Sequence, residues 1–297
     1  MIAAPIPVRH LLLAVAVAAV WGSNFVVIRI GLDHLPPLLF AALRFLLAAV
    51  PLVFLLPRPR TSLANLAAYG VLIGAGQFGL LFIAMRSEIS PGLASLVVQT
   101  QVFFTIGLSM WLTGERVQPF QWAALALGLA GLAVIALNTD GTTTPLGIAL
   151  VLLAALAWAG GNMVAKGNGN ANMLHYVVWA SLFSAPPLFA LSFLFEGWPA
   201  IRQGLVDADL VTWAAVLWQS VGNTMFGYAA WGWLLARHPA ATITPVALLI
   251  PIFGMAASAY WLGEPLPGWK LGATALVLSG LVIGILYPRL RPRRRPA

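Results

Sequence analysis

Amide side chains recur inside the apolar runs of this sequence, where polar groups are rare. They are Asn24, Gln77, Gln99, Gln101, Asn162, Gln219 and Asn223. An amide both donates and accepts hydrogen bonds, so a group of amides can bind a small molecule that carries a carboxylate and an ammonium. A buried amide can equally join two neighbouring helices, and both interpretations stay open for each residue. Gln99 and Gln101 are two residues apart, about 200° around an α-helix, so we expect only one to face a shared cavity.

Aromatic side chains accompany several of these amides. Trp21 lies three residues before Asn24, Trp158 lies four residues before Asn162, and Tyr228 follows Asn223 by five. Ring faces stack on apolar groups and attract ammonium ions. We therefore expect the three aromatic residues to complete a substrate-binding site with the amides, although packing in the core explains any one of them.

Groups suited to covalent or metal chemistry are missing from the same runs. The chain has no cysteine, its four histidines are unclustered, and its eight Asp and Glu residues fall outside the apolar interiors. No His/Asp/Glu set has metal-ligand spacing, and no Gly-Lys-Ser/Thr phosphate loop occurs. The sequence therefore predicts a protein that is not an enzyme, with no cofactor and no metal, and it argues against a proton relay by an interior carboxylate.

The elements that hold these residues belong in a membrane. The chain is 61% hydrophobic and 8% charged, with a mean hydropathy of +0.91, whereas soluble proteins carry roughly 25% charged residues. A lipid bilayer is therefore the predicted partner. The net charge of +8 lies in loops and in the tail Arg289–Arg295, so it indicates orientation in the membrane and not nucleic-acid binding.

Ten stretches are long enough to cross a bilayer as helices. They are Leu11–Ile30, Leu38–Leu56, Leu63–Met85, Gly92–Leu112, Gln118–Leu137, Leu146–Ala165, Leu174–Phe195, Leu210–Ala236, Ala240–Leu262 and Gly268–Tyr287. With ten crossings, both termini lie on one side. That side collects eleven basic residues against four on the other, which predicts cytoplasmic termini.

The two halves of the chain repeat a pattern at offsets of 137–149 residues. The matched pairs are Trp21–Arg29 with Trp158–Lys166, Gly76-Gln77 with Gly222-Asn223, and Pro91–Glu115 with Pro239–Glu264. Because each half holds an odd number of spans, equivalent helices run in opposite directions, as in transporters whose substrate site lies between inverted repeats. We predict an all-α membrane protein with repeats at residues 1–140 and 141–297. Glu115 and Glu264 are expected to stabilise the starts of the fifth and tenth helices.

These segments, together with Ala42–Phe45, resemble the EamA-type family of the drug/metabolite transporter superfamily. The resemblance covers essentially the whole chain. Within the family, Gly92–Thr105 is similar to bacterial exporters of cysteine-pathway metabolites such as O-acetylserine. The resemblance implies an inner-membrane exporter of amino acids or related small metabolites that works by alternating access and needs no obligate protein partner. A transporter of another cargo, such as a drug, nucleoside or nucleotide-sugar, is the alternative.

Arg44 is the basic residue placed well inside a span, about six residues from its start. A charge at that depth needs a partner or water. Two interpretations are open: Arg44 binds a substrate carboxylate, or its long side chain extends to the membrane interface.

Overall fold

The computed structural model describes residues 7–113, 119–138, 143–166, 172–238 and 243–290, and within these ranges it contains helices and turns but no strand. The α-helices of the first half are α1 (Val8–Gly31), α2 (Pro37–Ala49), α3 (Leu63–Val71), α4 (Leu80–Ser87), α5 (Pro91–Val97), α6 (Gln101–Thr113) and α7 (Pro119–Leu137). Those of the second half are α8 (Pro145–Lys166), α9 (Met173–Leu191), α10 (Gly197–Asp207), α11 (Leu210–Leu217), α12 (Gly227–Arg237), α13 (Ile250–Leu262) and α14 (Gly268–Leu290).

The predicted membrane class is confirmed in its coarse form. Six helical runs in the described chain are long and apolar enough to span a bilayer, and shorter apolar helices lie beside them. In lipid, every backbone N–H and C=O must be satisfied internally, which helices do within one segment. Glu115, Asp140 and Pro239, which the sequence places in connecting segments, lie outside the described residues.

Two predicted boundaries are wrong. The helix expected over Leu38–Leu56 ends at Ala49, because Pro51 has no N–H to continue the ladder. The segment Glu196–Asp209, predicted as a break, contains helix α10. Gly197 separates it from the preceding helix with a φ of +76°, a left-handed conformation that glycine adopts without strain.

Irregular helix turns interrupt both halves at equivalent places. Leu72–Gly79, between α3 and α4, and Trp218–Phe226, between α11 and α12, are π-helical and begin 146 residues apart. Val98–Thr100, before α6, and Thr244–Leu249, before α13, are 3₁₀-helical. Departures from the α-helix concentrate at functional sites, and three of these four segments carry a predicted amide.

Small residues let the helices that carry the site approach closely. A Cβ on Gly22 of α1 would meet Ile250 O at 2.5 Å, and one on Gly254 of α13 would meet Ser95 Oγ at 2.4 Å. Close crossings of this kind, built from Gly and Ser, are typical of helix packing in membranes. They fix α1, α5 and α13 against one another beside the polar residues.

Candidate functional site

One large cavity, hereafter the central cavity, opens between the helices and has a volume of about 1340 Å³. Asn172, at the start of α9, and Ala236 and Arg237, at the end of α12, are exposed at its mouth. Sites for small ligands are commonly about 300–1,000 Å³. The central cavity is therefore large enough for a metabolite and its water, and it is accessible from one end of the bundle.

Nine of the ten predicted site residues line the central cavity. They are Trp21, Asn24, Gln77, Gln99, Gln101, Trp158, Asn162, Asn223 and Tyr228. Asn24 Oδ1, Gln77 Oε1 and Gln99 Nε2 are buried without a hydrogen-bond partner. Since buried polar atoms are normally paired, these amides have free capacity for a ligand in the cavity.

Gln219 is the tenth residue and does not line the cavity. It is fully buried behind Asn24, whose amide nitrogen donates to Gln219 Oε1 at 3.3 Å. The two amides thus link α1 to the π-helical segment 218–226. This contact matches the helix-joining interpretation, so Gln219 positions Asn24 instead of meeting a ligand directly.

Gln99 and Gln101 both face the central cavity, and the expectation that only one of them can do so is wrong. The backbone is 3₁₀-helical over Val98–Thr100. A 3₁₀ turn advances about 120° per residue, so the two side chains lie about 120° apart instead of about 160°. The wide cavity spans that angle, and one helix presents two glutamines to it.

Gln101 is part of a polar network between α6 and α8. Its Oε1 accepts from Asn162 Nδ2 at 3.0 Å and from Thr105 Oγ1 at 3.3 Å. Asn162 Nδ2 also approaches Thr105 Oγ1 at 3.3 Å. Gln101 is therefore held in place by protein contacts, whereas the amide nitrogen of Gln99 is not.

Aromatic side chains from both halves of the chain form a wall beside the amides. Trp21 packs against Tyr228 and Trp231, with ring centroids 5.7 and 5.3 Å apart. Trp21 Nε1 donates to the carbonyl of Asn223 at 3.1 Å. Gly227 leaves room for this indole, because a Cβ there would meet Trp21 Nε1 at 2.3 Å. The wall offers ring faces that can cover an apolar group or an ammonium.

Several cavity residues were not singled out from the sequence. Thr105, Tyr69 and Phe78 line the central cavity, and Thr105 was detectable because it lies four residues after Gln101, on the same helix face. Tyr69 and Phe78 resemble ordinary core residues in sequence. Nothing in the pattern distinguishes them.

The Arg44 side chain is buried, so of the two open interpretations the one in which it extends to the membrane interface is wrong. Its side chain is 1% exposed, and Nη2 donates to Thr224 Oγ1 at 3.0 Å. The guanidinium carbon lies 3.8 Å from the ring centroid of Phe78 and 4.9 Å from that of Phe45. Arg44 is therefore embedded between α2 and the two π-helical segments.

A buried ionic cluster, hereafter the Glu264 cluster, joins helices away from the cavity. Glu264 Oε1 accepts from Lys270 Nζ at 3.1 Å and from Ser90 Oγ at 2.5 Å. Glu264 Oε2 accepts from Gly92 N at 3.0 Å and from Ser258 Oγ. Lys270 is fully buried. No member lines the central cavity, and Gly92 precedes Gln99 by about 10 Å of helix.

Glu264 contacts the first turn of α14, the helix expected, through Lys270, and it also bonds a second helix. Its carboxylate bonds the N-terminus of α5, which begins at Pro91, and not the backbone at the start of α14. Two other carboxylates make similar contacts: Glu196 accepts from the amides of Leu38 and Leu39 at 2.6 and 3.1 Å, and Glu88 accepts from Thr144 Oγ1 at 2.6 Å. Acids near helix N-termini are stabilised by the helix dipole.

Charge at the cavity wall is scarce. None of the described residues that line the central cavity is Asp or Glu, and Arg237 at the mouth is the basic one. Among the residues that the structure describes, no group of three His, Cys, Asp or Glu is arranged to hold a metal ion. The wall can therefore bind by amide hydrogen bonds and aromatic contact.

The chain belongs to the EamA-like transporter family, whose model matches residues 8–137 and again 145–286. The fold and the cavity thus belong to a membrane transporter, not an enzyme. A solved crystal structure, 20% identical, shares the fold with a TM-score of 0.64 over 94% of this chain and 99% of that chain.

Curated relatives with named activities are similar over most of the length. A "Probable amino-acid metabolite efflux pump" of Salmonella typhimurium (strain LT2) is 40% identical over 95% of this chain and 97% of its own. A protein of the same name from Escherichia coli (strain K12) is 37% identical over 94% and 95%. A "Probable terminal-alkyne amino-acid exporter" of Streptantibioticus cattleyicolor is 27% identical over 93% of each chain.

Proposed function

We propose that this transporter exports amino acids or related small metabolites. The observation that carries the proposal is the central cavity, which amides from both halves of the chain line and where Asn24, Gln77 and Gln99 keep unpaired acceptor or donor atoms. A zwitterion needs both kinds of atom, because its carboxylate accepts and its ammonium donates. The names of the relatives from Salmonella typhimurium and Escherichia coli support the same class of cargo.

The proposed site residues divide by chemistry. Gln77, Gln99, Gln101, Asn24, Asn162 and Asn223 supply hydrogen bonds, and Trp21, Trp158 and Tyr228 supply ring faces. Gln219 holds Asn24 from behind. A nucleotide-sugar would need several cationic groups to bind its phosphates, and the described wall offers Arg237 alone. The cavity therefore favours a zwitterionic cargo over that alternative.

The proposed topology is ten transmembrane helices in two inverted five-helix repeats, residues 1–140 and 141–297. Two features support it: the family model matches twice, once in each half, and π-helical segments recur at an offset of 146 residues. An inverted pair gives alternating access by rocking one repeat against the other. All of the proposed site residues lie in one chain, and we propose that no obligate protein partner is needed.

The proposed location is the bacterial inner membrane, with both termini in the cytoplasm. The basic residues favour this orientation. The mouth of the central cavity contains Arg237 and Asn172, which the predicted topology places on the cytoplasmic side. The structure then corresponds to a state that is open to the cytoplasm, ready to receive cargo for export.

Counterflow in proteoliposomes tests the proposal. Purified protein would be reconstituted, loaded with unlabelled O-acetyl-L-serine or one of a panel of amino acids, and supplied with the labelled form outside. We expect transient accumulation for at least one of these compounds, absent from protein-free vesicles. No exchange of any compound would overturn the proposal. A pH gradient is expected to have little effect, since no described carboxylate lines the cavity.

A further inference from the structure

Arg44 has a buried charge that the protein leaves mostly unpaired. Its Nε and Nη1 atoms have no hydrogen-bond partner, and Nη2 reaches only Thr224 Oγ1. In the described part of the chain, the ion pairs involve other residues. A buried guanidinium without a carboxylate is unfavourable, and ionisable groups kept at membrane depth commonly serve function.

A second, small cavity lies against this guanidinium and is called the Arg44 pocket. It is lined by Arg44, Phe45, Ile73, Val177, Ala180, Ser181, Ser184 and Thr224, together with Tyr69, Phe78 and Tyr228. Its volume of about 10 Å³ is enough for about one water molecule. The last three residues also line the central cavity, so aromatic side chains form the wall between the two spaces.

Three hydroxyl groups of the pocket, on Ser181, Ser184 and Thr224, already donate hydrogen bonds within the protein. Ser181 Oγ donates to Val177 O at 2.7 Å, and Ser184 Oγ donates to Gly70 O at 2.8 Å. Thr224 Oγ1 donates to Gln219 O at 2.9 Å. The hydroxyl protons of these three residues therefore bond backbone carbonyls, whereas Nε and Nη1 of Arg44 have no partner.

The Arg44 charge is supported by ring faces in place of a counter-ion. Phe78 and Phe45 lie within cation–π distance. Such contacts hold the guanidinium plane in position but use none of its hydrogen bonds. An arginine held in this way is suited to an oxyanion of planar shape, because the guanidinium fork matches a carboxylate.

We propose that the Arg44 pocket is an oxyanion subsite of the transport pathway and that Arg44 binds the carboxylate of the cargo. In this structure Tyr69, Phe78 and Tyr228 close the pocket, and their displacement admits the carboxylate from the central cavity. The inference rests on the proposed function. It narrows the cargo to molecules with a free carboxylate and assigns a role to a residue outside the amide set.

A binding experiment tests the subsite without requiring transport. Thermal unfolding of the purified protein would be followed during titration with sodium acetate, and separately with acetamide, its uncharged counterpart of similar shape. Acetate is expected to raise the unfolding temperature of the unsubstituted protein more than acetamide does, and to lose that advantage in Arg44→Gln. Equal effects of the two probes, or an acetate effect unchanged in Arg44→Gln, would overturn the proposal.

Transport measurements separate a carboxylate contact from a structural role. For a compound that is exchanged in counterflow, we expect Arg44→Gln to lower the apparent affinity about tenfold or more for the free acid, and to leave exchange of its carboxamide nearly unchanged. Arg44→Lys, which keeps the charge, should recover part of the loss. Arg60→Gln is the control, because Arg60 is an exposed arginine outside the helices.

The outcomes distinguish the two proposals. If no compound is exchanged, the proposed function fails, whereas the acetate titration still decides whether Arg44 binds an oxyanion. If Arg44→Gln lowers exchange of acid and carboxamide equally in a folded protein, Arg44 is a packing residue and the subsite is wrong. Thr224→Val supports the subsite if the preference for the free acid persists, because Arg44 then keeps its role without its hydroxyl partner.

Discussion

The Glu264 cluster and the wall of the central cavity are both buried polar regions, but they satisfy their polar groups differently. Both carboxylate oxygens of Glu264 accept hydrogen bonds, and Lys270 supplies the opposite charge. In the cavity wall, Asn24, Gln77 and Gln99 each keep an unpaired polar atom. A satisfied network stabilises one arrangement of helices, whereas unpaired groups lower stability and are available to a ligand.

Because of this difference, substitutions in the two regions should affect different properties of the protein. Changes in the Glu264 cluster should act on stability, because they leave a buried charge or donor without a partner. Substitutions of side chains with unpaired atoms in the cavity wall should reduce transport with little loss of stability, because no hydrogen bond within the protein is broken at those atoms. Variants of the two regions test that separation, from the largest expected effect to the smallest.

Replacement of Lys270 should have the largest effect on stability. Lys270→Met leaves the Glu264 carboxylate buried without its counter-ion, and losing one partner of a buried pair costs about 3–5 kcal/mol in the free energy of unfolding. Unfolding of the protein in detergent by heat or denaturant measures this. The double variant Glu264→Gln/Lys270→Met should regain part of the loss, since no charge is left unpaired. A Lys270→Met protein as stable as the original would contradict the comparison.

Gln99 and Gln101 offer a matched pair within the cavity wall. Gln99→Leu should reduce counterflow about tenfold or more, while the free energy of unfolding changes by less than about 1 kcal/mol, because Gln99 Nε2 has no protein partner. Gln101→Leu removes the acceptor of Asn162 and Thr105, so it should lower transport and also destabilise by about 1 kcal/mol. Unchanged transport in both variants would show that the fourth apolar stretch, Gly92–Leu112, does not contribute to the site.

The sequence was sufficient to predict most of the amide side chains on the cavity wall. Polar side chains in lipid have few acceptable positions, so seven amides in apolar runs identified six wall residues and one residue, Gln219, that supports Asn24. The repeat also paired Gln77 with Asn223, and both lie on π-helical segments. Composition and spacing were enough because the membrane restricts the alternatives.

Other features depended on geometry that the sequence does not encode locally. Gln99 and Gln101 line one cavity because of a 3₁₀ turn, which an assumption of regular α-helix excludes. The buried position of the Arg44 side chain depends on contacts with Thr224, 180 residues away, and with Phe78. Glu264 bonds a helix start 172 residues earlier in the chain. Long-range contacts such as these cannot be derived from periodicity.

Replacement of Glu196, which does not line the cavity, should have an effect of intermediate size on stability. It accepts from Leu38 N, Leu39 N and Ser192 Oγ, the last at 2.6 Å. Glu196→Gln removes a charge at the N-terminus of α2 and one of the acceptor oxygens, which should lower the free energy of unfolding by about 1–2 kcal/mol. Counterflow affinity should stay unchanged. A change in affinity without loss of stability would mean that this end of the bundle contributes to cargo binding.

Asp209 should give the smallest effect, and the effect should depend on pH. Asp209 caps α11, where Oδ1 accepts from Thr212 N at 2.8 Å and from Thr212 Oγ1 at 2.7 Å. These hydrogen bonds, with a smaller contribution from nearby His34, lower the pKa of the carboxyl group. Because the pKa of Asp209 is lower in the folded state, the carboxylate stabilises the fold at pH values above 3.8, the pKa in the unfolded state. This stabilisation is lost as the pH falls below that value.

Asp209→Asn keeps a capping side chain but removes the titration. The unfolding temperature of the original protein should therefore fall slightly more than that of Asp209→Asn between about pH 6 and about pH 3. Because Asp209 is exposed and belongs to neither the cavity wall nor the Glu264 cluster, counterflow at neutral pH should be equal in the two proteins. Parallel decreases in unfolding temperature would show that the Thr212 contacts do not favour the charged carboxylate in the folded state.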